Sequence, residues 1–138
     1  MPEANDDKIP LFAESVAAGF PSPARGDIDS TLSLDELCVR HPAATYFIRA
    51  RGESMLGAGI GDGDVLVVDR SLPAHDGDII IAAVDGAFTV KRLEKRGKAV
   101  RLLPENPAFS PITLTPGMQA EFFGVVTYVV KSLNRYKD

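Results

Sequence analysis

The chain has 138 residues, of which 45% are hydrophobic and 25% charged, so it is long enough for one domain with a substantial core. Its formal net charge is −4 and no basic block stands out, which argues against a nonspecific phosphate-binding surface and against direct, sequence-specific DNA contact. The single cysteine, Cys38, excludes an intrachain disulfide, so we expect a cytoplasmic protein in which this residue is packed rather than nucleophilic.

No targeting segment is evident in the sequence. Asp6, Asp7 and Glu14 interrupt the first twenty residues, which therefore lack the apolar core of a signal peptide. No apolar run approaches the roughly 20 residues that a membrane helix needs. We expect no membrane association, which also disfavours a membrane-anchored signal peptidase.

Residues 1–26 differ in composition from the rest of the chain. They are rich in Pro, Ala, Gly and acidic residues, and their prolines resist helix formation. The sequence therefore predicts a flexible N-terminal arm over residues 1–26 and a β-rich domain over residues 27–138. Within that domain, Ser33-Leu34-Asp35-Glu36 is a capping-box pattern that predicts a short helix through Val39, ending before Pro42.

Strand patterns dominate the sequence from residue 45 onward. Asp85-Gly86 is typical of a two-residue hairpin loop, and Asp62-Gly63 and Arg96-Gly97 mark further turns. The expected fold is mostly β, with short, bent strands and one or two brief helices. Apolar or β-branched runs that predict strands cover residues 45–51, 65–68, 79–84, 87–93, 99–103 and 122–130.

Two residues in this pattern suggest hydrolytic chemistry. Ser54 lies in Gly52-Glu53-Ser54-Met55, where a strand gives way to a Gly-rich stretch, and Lys91 lies in the apolar run 87–93. Burial disfavours the charged form of a lysine, so a buried Lys91 can act as a general base toward a hydroxyl. A serine hydroxyl needs such a base to become a nucleophile. The alternative is that Ser54 belongs to a turn and that the Lys91 ammonium reaches water.

A Ser–Lys pair also needs a site for the oxyanion and a partner for the amine. The backbone N–H groups of Ser54 and Glu53 are the candidate oxyanion donors. Strand alternation puts Thr89 and Lys91 on one face, so Thr89 is a candidate neighbour of the amine, although a plain cross-strand role fits equally well.

Other chemistries have weaker support in the sequence. The chain has only two histidines, His41 and His75, and nothing buries or orients His75 for a triad with Asp76. The aspartates between residues 62 and 78 lack the spacing of a calcium loop, and there is no Gly-rich phosphate loop. Two histidines and one cysteine are too few for a typical zinc site. We predict neither a metal nor a cofactor.

Several motifs occur in an order and at a spacing that are highly specific. Together they resemble the LexA/UmuD family of self-cleaving Ser–Lys peptidases, and within it the small UmuD type, over nearly the whole chain from about residue 17 to residue 135. The resemblance implies the compact, twisted β fold of the family's C-terminal peptidase domain. The motifs are Ala18-Gly19-Phe20-Pro21-Ser22-Pro23-Ala24, Ala50-Arg51-Gly52-Glu53-Ser54-Met55, Ile60-Gly61-Asp62-Gly63-Asp64-Val65-Leu66-Val67-Val68-Asp69, Phe88-Thr89-Val90-Lys91-Arg92-Leu93, Leu103-Pro104-Glu105-Asn106-Pro107 and Glu121-Phe122-Phe123-Gly124-Val125-Val126.

The resemblance also implies a function in the SOS response to DNA damage. It makes Ser54 the nucleophile and Lys91 the general base, and it places the self-cleavage site between Ala18 and Gly19. It implies that a RecA filament on single-stranded DNA stimulates the cut. The shortened product is then a homodimer that acts as accessory subunit of a UmuC-type Y-family translesion polymerase.

Two alternatives remain open from the sequence. The first is a non-enzymatic β domain that binds a partner, with Ser54 and Lys91 merely structural. The second is the peptidase fragment of a LexA-like repressor. Family repressors carry a helix-turn-helix domain before the peptidase part, whereas only about 18 residues precede the proposed cut here, so we do not expect a repressor unless the chain is a fragment.

Overall fold

The computed structural model describes residues 8–13, 15–19, 26 and 28–136. The chain divides into two compact units, Met1–Arg40 and His41–Asp138, which we call the N-terminal unit and the main unit. Residues 28–40, which the sequence analysis assigned to the β-rich domain, group here with the N-terminal segment.

The N-terminal unit contains a two-stranded antiparallel ladder and one helix. Strand β1 (Ile9–Phe12) pairs with β2 (Ile28–Leu32), an association that the sequence analysis did not foresee. Helix α1 (Leu34–Cys38) follows, and the Glu36 N–H donates a hydrogen bond to the Ser33 side chain at 3.5 Å. The predicted helix is therefore present with Ser33 as its N-cap, and it ends at Cys38, one residue before the predicted end.

Helices are short throughout the described residues. Helix α1 belongs to the N-terminal unit, and the main unit has two 3-10 helices, Pro42–Ala44 and Leu56–Ala58. None of these segments has both the length and the apolar character needed to cross a bilayer.

The main unit is built on a seven-stranded antiparallel sheet, which confirms the mostly β fold. The strand order is β3-β4-β9-β5-β6-β7-β8, so the last strand of the chain lies between β4 and β5. The strands are β3 (Thr45–Arg49), β4 (Val65–Asp69), β5 (Ile79–Val84), β6 (Ala87–Arg96), β7 (Ala99–Leu103), β8 (Ile112–Thr113) and β9 (Ala120–Val130).

The β5–β6 hairpin closes on the predicted two-residue loop. Val84 pairs with Ala87, which leaves Asp85 and Gly86 as the loop residues. Their φ angles are 49° and 85°, and a hairpin turn with two left-handed residues favours Asp-Gly for this reason. The turn fixes the register of β6 and therefore the position of Lys91 opposite Ile80.

Strand β9 is irregular where it crosses the middle of the sheet. Its pairing shifts register opposite Val67/Val68 and again opposite Ile81/Ala82. At Gly124 the backbone has φ 140°, and a Cβ there would lie 2.5 Å from Val68 Cγ1. Only glycine fits this position, and the two bulges bend the strand so that the sheet curves.

The core of the main unit consists of two clusters of buried residues. Met55, which directly follows Ser54 in sequence, is only 2% exposed and belongs to the first cluster, so the core anchors one end of the serine turn. The first cluster comprises Ala50, Met55, Ile60, Leu66, Val68 and Ile81. The second comprises Ile80, Ala82, Leu93, Leu102 and Val125.

Candidate functional site

Ser54 lies in the loop that joins β3 to β4. The loop is closed at its base, where the Ala50 N–H donates to the Asp64 carbonyl at 2.8 Å. Farther along, the Gly52 N–H donates to Asp62 Oδ1 at 2.7 Å, and Gly52 has φ 85°. A residue with a side chain rarely adopts this conformation, so glycine lets the chain turn sharply two residues before the serine.

Lys91 extends from β6 toward this loop. Its Nζ lies 3.1 Å from Ser54 Oγ, 2.8 Å from Thr89 Oγ1 and 3.1 Å from the Val90 carbonyl oxygen. The structure therefore brings together Ser54 and Lys91, which are 37 residues apart in the chain, and adds the Thr89 hydroxyl beside the amine.

The surroundings of Lys91 favour its neutral form. The residue is half-buried, and this burial lowers the pKa of its amine below the ordinary lysine value. Ser54, Thr89 and Lys91 line a cavity of about 430 Å³. Its apolar lining residues are Ile48, Ala50, Leu66, Ile81, Phe88 and Val90.

The three contacts of the Lys91 nitrogen suit both of its protonation states. As an ammonium group it donates to all three oxygens. As a neutral amine it has two N–H bonds and one lone pair. Thr89 Oγ1 and the Val90 carbonyl then accept the two N–H bonds, which leaves the lone pair for the Ser54 hydroxyl proton. The arrangement can thus deprotonate a serine as its oxygen attacks a carbonyl.

The turn around Ser54 presents backbone donors. The N–H groups of Glu53, Ser54 and Met55 donate no hydrogen bond to any of the described residues. These groups include both predicted oxyanion donors, Glu53 and Ser54. Their role as oxyanion donors stays a prediction.

The carbonyl groups of the same turn are held by a second loop, residues 104–107. The Glu105 N–H donates to the Ser54 carbonyl at 2.7 Å, and Asn106 Nδ2 donates to the Glu53 carbonyl at 2.8 Å. The Gly57 N–H donates to the Glu105 carbonyl at 2.7 Å, where any Cβ on residue 57 would clash. We call residues 104–107 the clamp loop.

In the sequence, the clamp loop is recognisable only as part of a family motif, and its contacts with the Ser54 turn were not predicted. Asn106-Pro107 is a turn signal, but nothing in the sequence pairs it with residues 53 and 54. Arg92 was missed in the same way. Its Nε lies 2.7 Å from Glu105 Oε2, so the residue after Lys91 in β6 holds the clamp loop by an ion pair.

The predicted cleavage residues belong to the N-terminal unit, whereas Ser54 and Lys91 belong to the main unit. Ala18 and Gly19 are both exposed and lie in a bend. A Cβ built on Gly19 has no atom within 4 Å. Residues 20–24, the remainder of the motif that begins with Ala18, lie outside the described residues.

The histidines occupy other positions. His41 Nδ1 lies 2.6 Å from Asp69 Oδ2, and the Ser71 hydroxyl donates to Asp69 Oδ1 at 2.6 Å. Burial by itself raises the pKa of Asp69, but the hydrogen bonds from His41 and Ser71 outweigh it and lower the pKa overall. Ser71 thus contacts the carboxylate rather than the imidazole, which is not the order of a catalytic triad. His75 is exposed.

No group of three or more His, Cys, Asp or Glu side chains is arranged to hold a metal ion in the residues that the structure describes. The aspartates that the sequence analysis considered have other contacts. Asp62 accepts the Gly52 N–H, Asp78 accepts the His75 N–H, and Asp64 forms an ion pair with Lys131.

The chain is similar to known proteins over most of its length. Residues 10–127 match the family profile described as Peptidase S24-like. Protein ImpA of Salmonella typhimurium is 45% identical over 136 residues, which cover 94% of this chain and 88% of ImpA. Protein MucA of Escherichia coli is 49% identical over 121 residues, which cover 87% of this chain and 82% of MucA. LexA repressor 2 of Pseudomonas syringae pv. tomato is 40% identical over 124 residues, which cover 90% of this chain and 60% of the repressor.

The chain therefore belongs to the peptidase S24-like family, which contains self-cleaving serine peptidases. Its extensive identity with ImpA and MucA places it with the UmuD-type members of that family, which confirms the resemblance drawn from the motifs.

Proposed function

We propose that this protein is a self-cleaving serine peptidase of the SOS response, with Ser54 as nucleophile and Lys91 as general base. The observation that carries the proposal is the 3.1 Å separation of Lys91 Nζ and Ser54 Oγ. Burial lowers the pKa of the same amine, which raises the fraction of the neutral base at a given pH.

The reaction follows from the contacts of the two side chains. Neutral Lys91 takes the hydroxyl proton of Ser54 as Oγ bonds to the Ala18 carbonyl carbon. The N–H groups of Ser54 and Glu53 stabilise the oxyanion of the tetrahedral intermediate. The Ala18–Gly19 bond then breaks, and the Lys91 ammonium gives its proton to the Gly19 nitrogen. Lys91 next deprotonates a water as it attacks the acyl carbon, and it returns the proton to Ser54 Oγ as the bond from Oγ to that carbon breaks.

The proposed substrate is the protein's own N-terminal segment. Ala18 and Gly19 are small and exposed, so the segment offers an accessible bond with little side-chain bulk on either side. Lys91 must lose its proton before it can act as the base, and self-cleavage further requires that the segment dock beside Ser54. An external activator can therefore speed up cleavage by promoting docking of the segment or deprotonation of Lys91.

The activator and the product follow from the family relationship. We propose that a RecA filament on single-stranded DNA stimulates cleavage in the cytoplasm. The shortened chain, which begins at Gly19, forms a homodimer and assists a UmuC-type Y-family polymerase in copying damaged DNA. The identity with ImpA and MucA, 45% and 49% against 40% with LexA repressor 2, supports this role over that of a repressor.

One experiment separates this function from a non-enzymatic β domain. The purified protein is incubated at pH 7 to 10, with and without RecA filaments, and its mass is followed over time. We expect a product that begins at Gly19, faster at high pH and with RecA, while the Ser54→Ala protein stays intact. An intact wild-type chain under both conditions, with the fold retained, contradicts the peptidase.

A further inference from the structure

The clamp loop binds the two backbone carbonyl groups that flank the Ser54 Cα, those of Glu53 and Ser54. Asn106 Nδ2 donates to the Glu53 carbonyl at 2.8 Å, and the Glu105 N–H donates to the Ser54 carbonyl at 2.7 Å. The described chain has no cis peptide bonds. In a planar trans peptide the N–H points opposite to the carbonyl, so a bond to the Glu53 oxygen fixes the direction of the Ser54 N–H.

Besides Asn106, the Ser54 N–H is held in the described residues only through a longer hydrogen bond of 3.4 Å, which the Leu56 N–H donates to the Glu53 carbonyl. The Ser54 N–H itself donates no hydrogen bond to the described residues, so nothing on the donor side holds it in place. The peptide lies in a turn outside the strand ladder and close to Gly52, whose positive φ shows how far this backbone departs from regular structure. Its orientation therefore depends on the carbonyl side, where Asn106 binds.

Resting on the proposed function, we propose that Asn106 is a positioning residue that orients the Ser54 N–H as oxyanion donor. An oxyanion site lowers the barrier only when its donors already point at the oxygen before charge develops. A hydrogen bond to the back of the same peptide supplies that orientation without entering the site. The Arg92–Glu105 ion pair, at 2.7 Å, holds the clamp loop to the strand that carries Lys91.

The Asn106 side chain has a second contact that allows a sharp test. Its Oδ1 accepts the Ala108 N–H at 2.9 Å, which shapes the clamp loop itself. Asn106→Asp keeps this acceptor and the shape of the side chain but removes the donor to the Glu53 carbonyl. Asn106→Ala removes both contacts. A residue that only shapes its own loop tolerates the first change, whereas an orienting residue tolerates neither.

The first measurement is the rate of self-cleavage in the full chain across pH 7 to 10. Losing an oxyanion donor outright costs about 10²- to 10³-fold, so we expect both variants to cut roughly 10- to 100-fold more slowly, since the donor is misdirected but present. In Asn106→Ala the pH midpoint of the profile should stay at the wild-type value, because the change leaves the Lys91 contacts in place. Ser110→Ala, in the following loop, is the control and should cut at the wild-type rate.

The second measurement separates orientation of the N–H from placement of the nucleophile. In a Ser54→Cys, Cys38→Ser background, iodoacetamide alkylates the introduced thiol by attack at a saturated carbon, which forms no oxyanion. Adding Asn106→Ala should leave this alkylation rate unchanged, whereas adding Lys91→Ala should slow it by removing the base.

The outcomes distinguish the two proposals. Wild-type cleavage by Asn106→Asp, or an alkylation rate that falls as far as the cleavage rate in Asn106→Ala, overturns the positioning role and leaves the peptidase intact. A wild-type protein that never cuts, together with alkylation that is indifferent to Lys91→Ala, overturns the peptidase itself.

Discussion

Thr89 Oγ1 lies 2.8 Å from Lys91 Nζ, closer to the amine than Ser54 Oγ, which lies at 3.1 Å. The two residues are two positions apart in β6 and so share a face of the strand. The Thr89 hydroxyl therefore contacts the amine directly and restricts the direction in which it points.

Thr89→Val should alter the pH profile of self-cleavage in two ways. The change removes an acceptor that stabilises the ammonium form, so the midpoint should move to lower pH. It also removes one of the contacts that aim the lone pair at Ser54, so the plateau rate should fall by roughly 10-fold, part of the 10²–10⁴ that a general base supplies. Thr89→Ser keeps the hydroxyl and serves as the control. An unchanged midpoint in Thr89→Val contradicts the contact.

The lowered pKa of Lys91 predicts how the cleavage rate depends on pH. The rate should rise from neutral pH and level off below the roughly 10.4 of a free lysine, once the amine is neutral. The measurement is the first-order rate of product formation without RecA, with circular dichroism to show that the fold is retained. A rate that falls over this range in folded protein excludes lysine as the base.

The same shift predicts an effect on stability. Since burial lowers the pKa in the folded protein, the unfolded chain binds more protons between the folded value and the ordinary one. Below this pH range, burial of the charged Lys91 lowers the free energy of unfolding. This destabilisation decreases as the pH rises through the range and the folded protein loses the proton. The melting temperature of Lys91→Met minus that of the wild type should decrease from pH 7 to pH 10. Both of the compared proteins also carry Ser54→Ala, which prevents cleavage during the measurement.

Ser54→Ala and Lys91→Ala should each abolish cleavage, and the double variant should be no worse than either single one. Nucleophile and base act as a unit, so the effects of their loss do not add. Lys91→Arg is an informative companion, because arginine keeps a positive charge but does not lose its proton in proteins. Residual RecA-stimulated cutting by Ser54→Ala is the result that removes Ser54 from the reaction.

Substitutions at the proposed cut should block cleavage without unfolding the protein. A Cβ on Gly19 meets no atom within 4 Å, so Gly19→Glu and Ala18→Asp should keep the wild-type melting temperature. Their bulk and charge are expected to prevent the extended segment from docking with its carbonyl beside Ser54. Ala13→Asp, an equal change elsewhere in the N-terminal unit, should be cut normally.

Removal of residues 1–18 should bypass the peptidase. A chain that starts at Gly19 and carries Ser54→Ala should dimerise and support damage-induced mutagenesis in cells. Failure of this shortened chain, where the wild type succeeds, gives Ser54 a role beyond removing the segment.

Local patterns in the sequence predicted most of the main unit. The strands β5 and β7 lie at the predicted residues, and Asp85-Gly86 forms the predicted loop, because alternation and turn chemistry act over a few neighbouring residues. Strand β3 ends at Arg49, two residues before the predicted end, where the Ala50 N–H bonds to Asp64 instead of to a strand.

The rest depends on contacts between distant residues. The pairing of β1 with β2 was missed because Ile9 and Leu32 carry no local sign of each other. Asn106 was missed as a partner of Glu53 for the same reason, since the contact joins residues 53 positions apart. Ser54 and Lys91 were found together because the family resemblance supplied a relation that neither local pattern contains.

The position of β9 sets a condition on when the enzyme can work. The loop with Ser54 joins β3 to β4, whereas Lys91 and the clamp loop belong to the group of strands from β5 to β8. In the described sheet, these two groups of strands are joined only through β9, Ala120–Val130. On the proposed function, nucleophile and base therefore stay at reacting distance only while β9 pairs with both β4 and β5. Loosening β9 is expected to disable the site although none of its residues lines the cavity around Ser54 and Lys91.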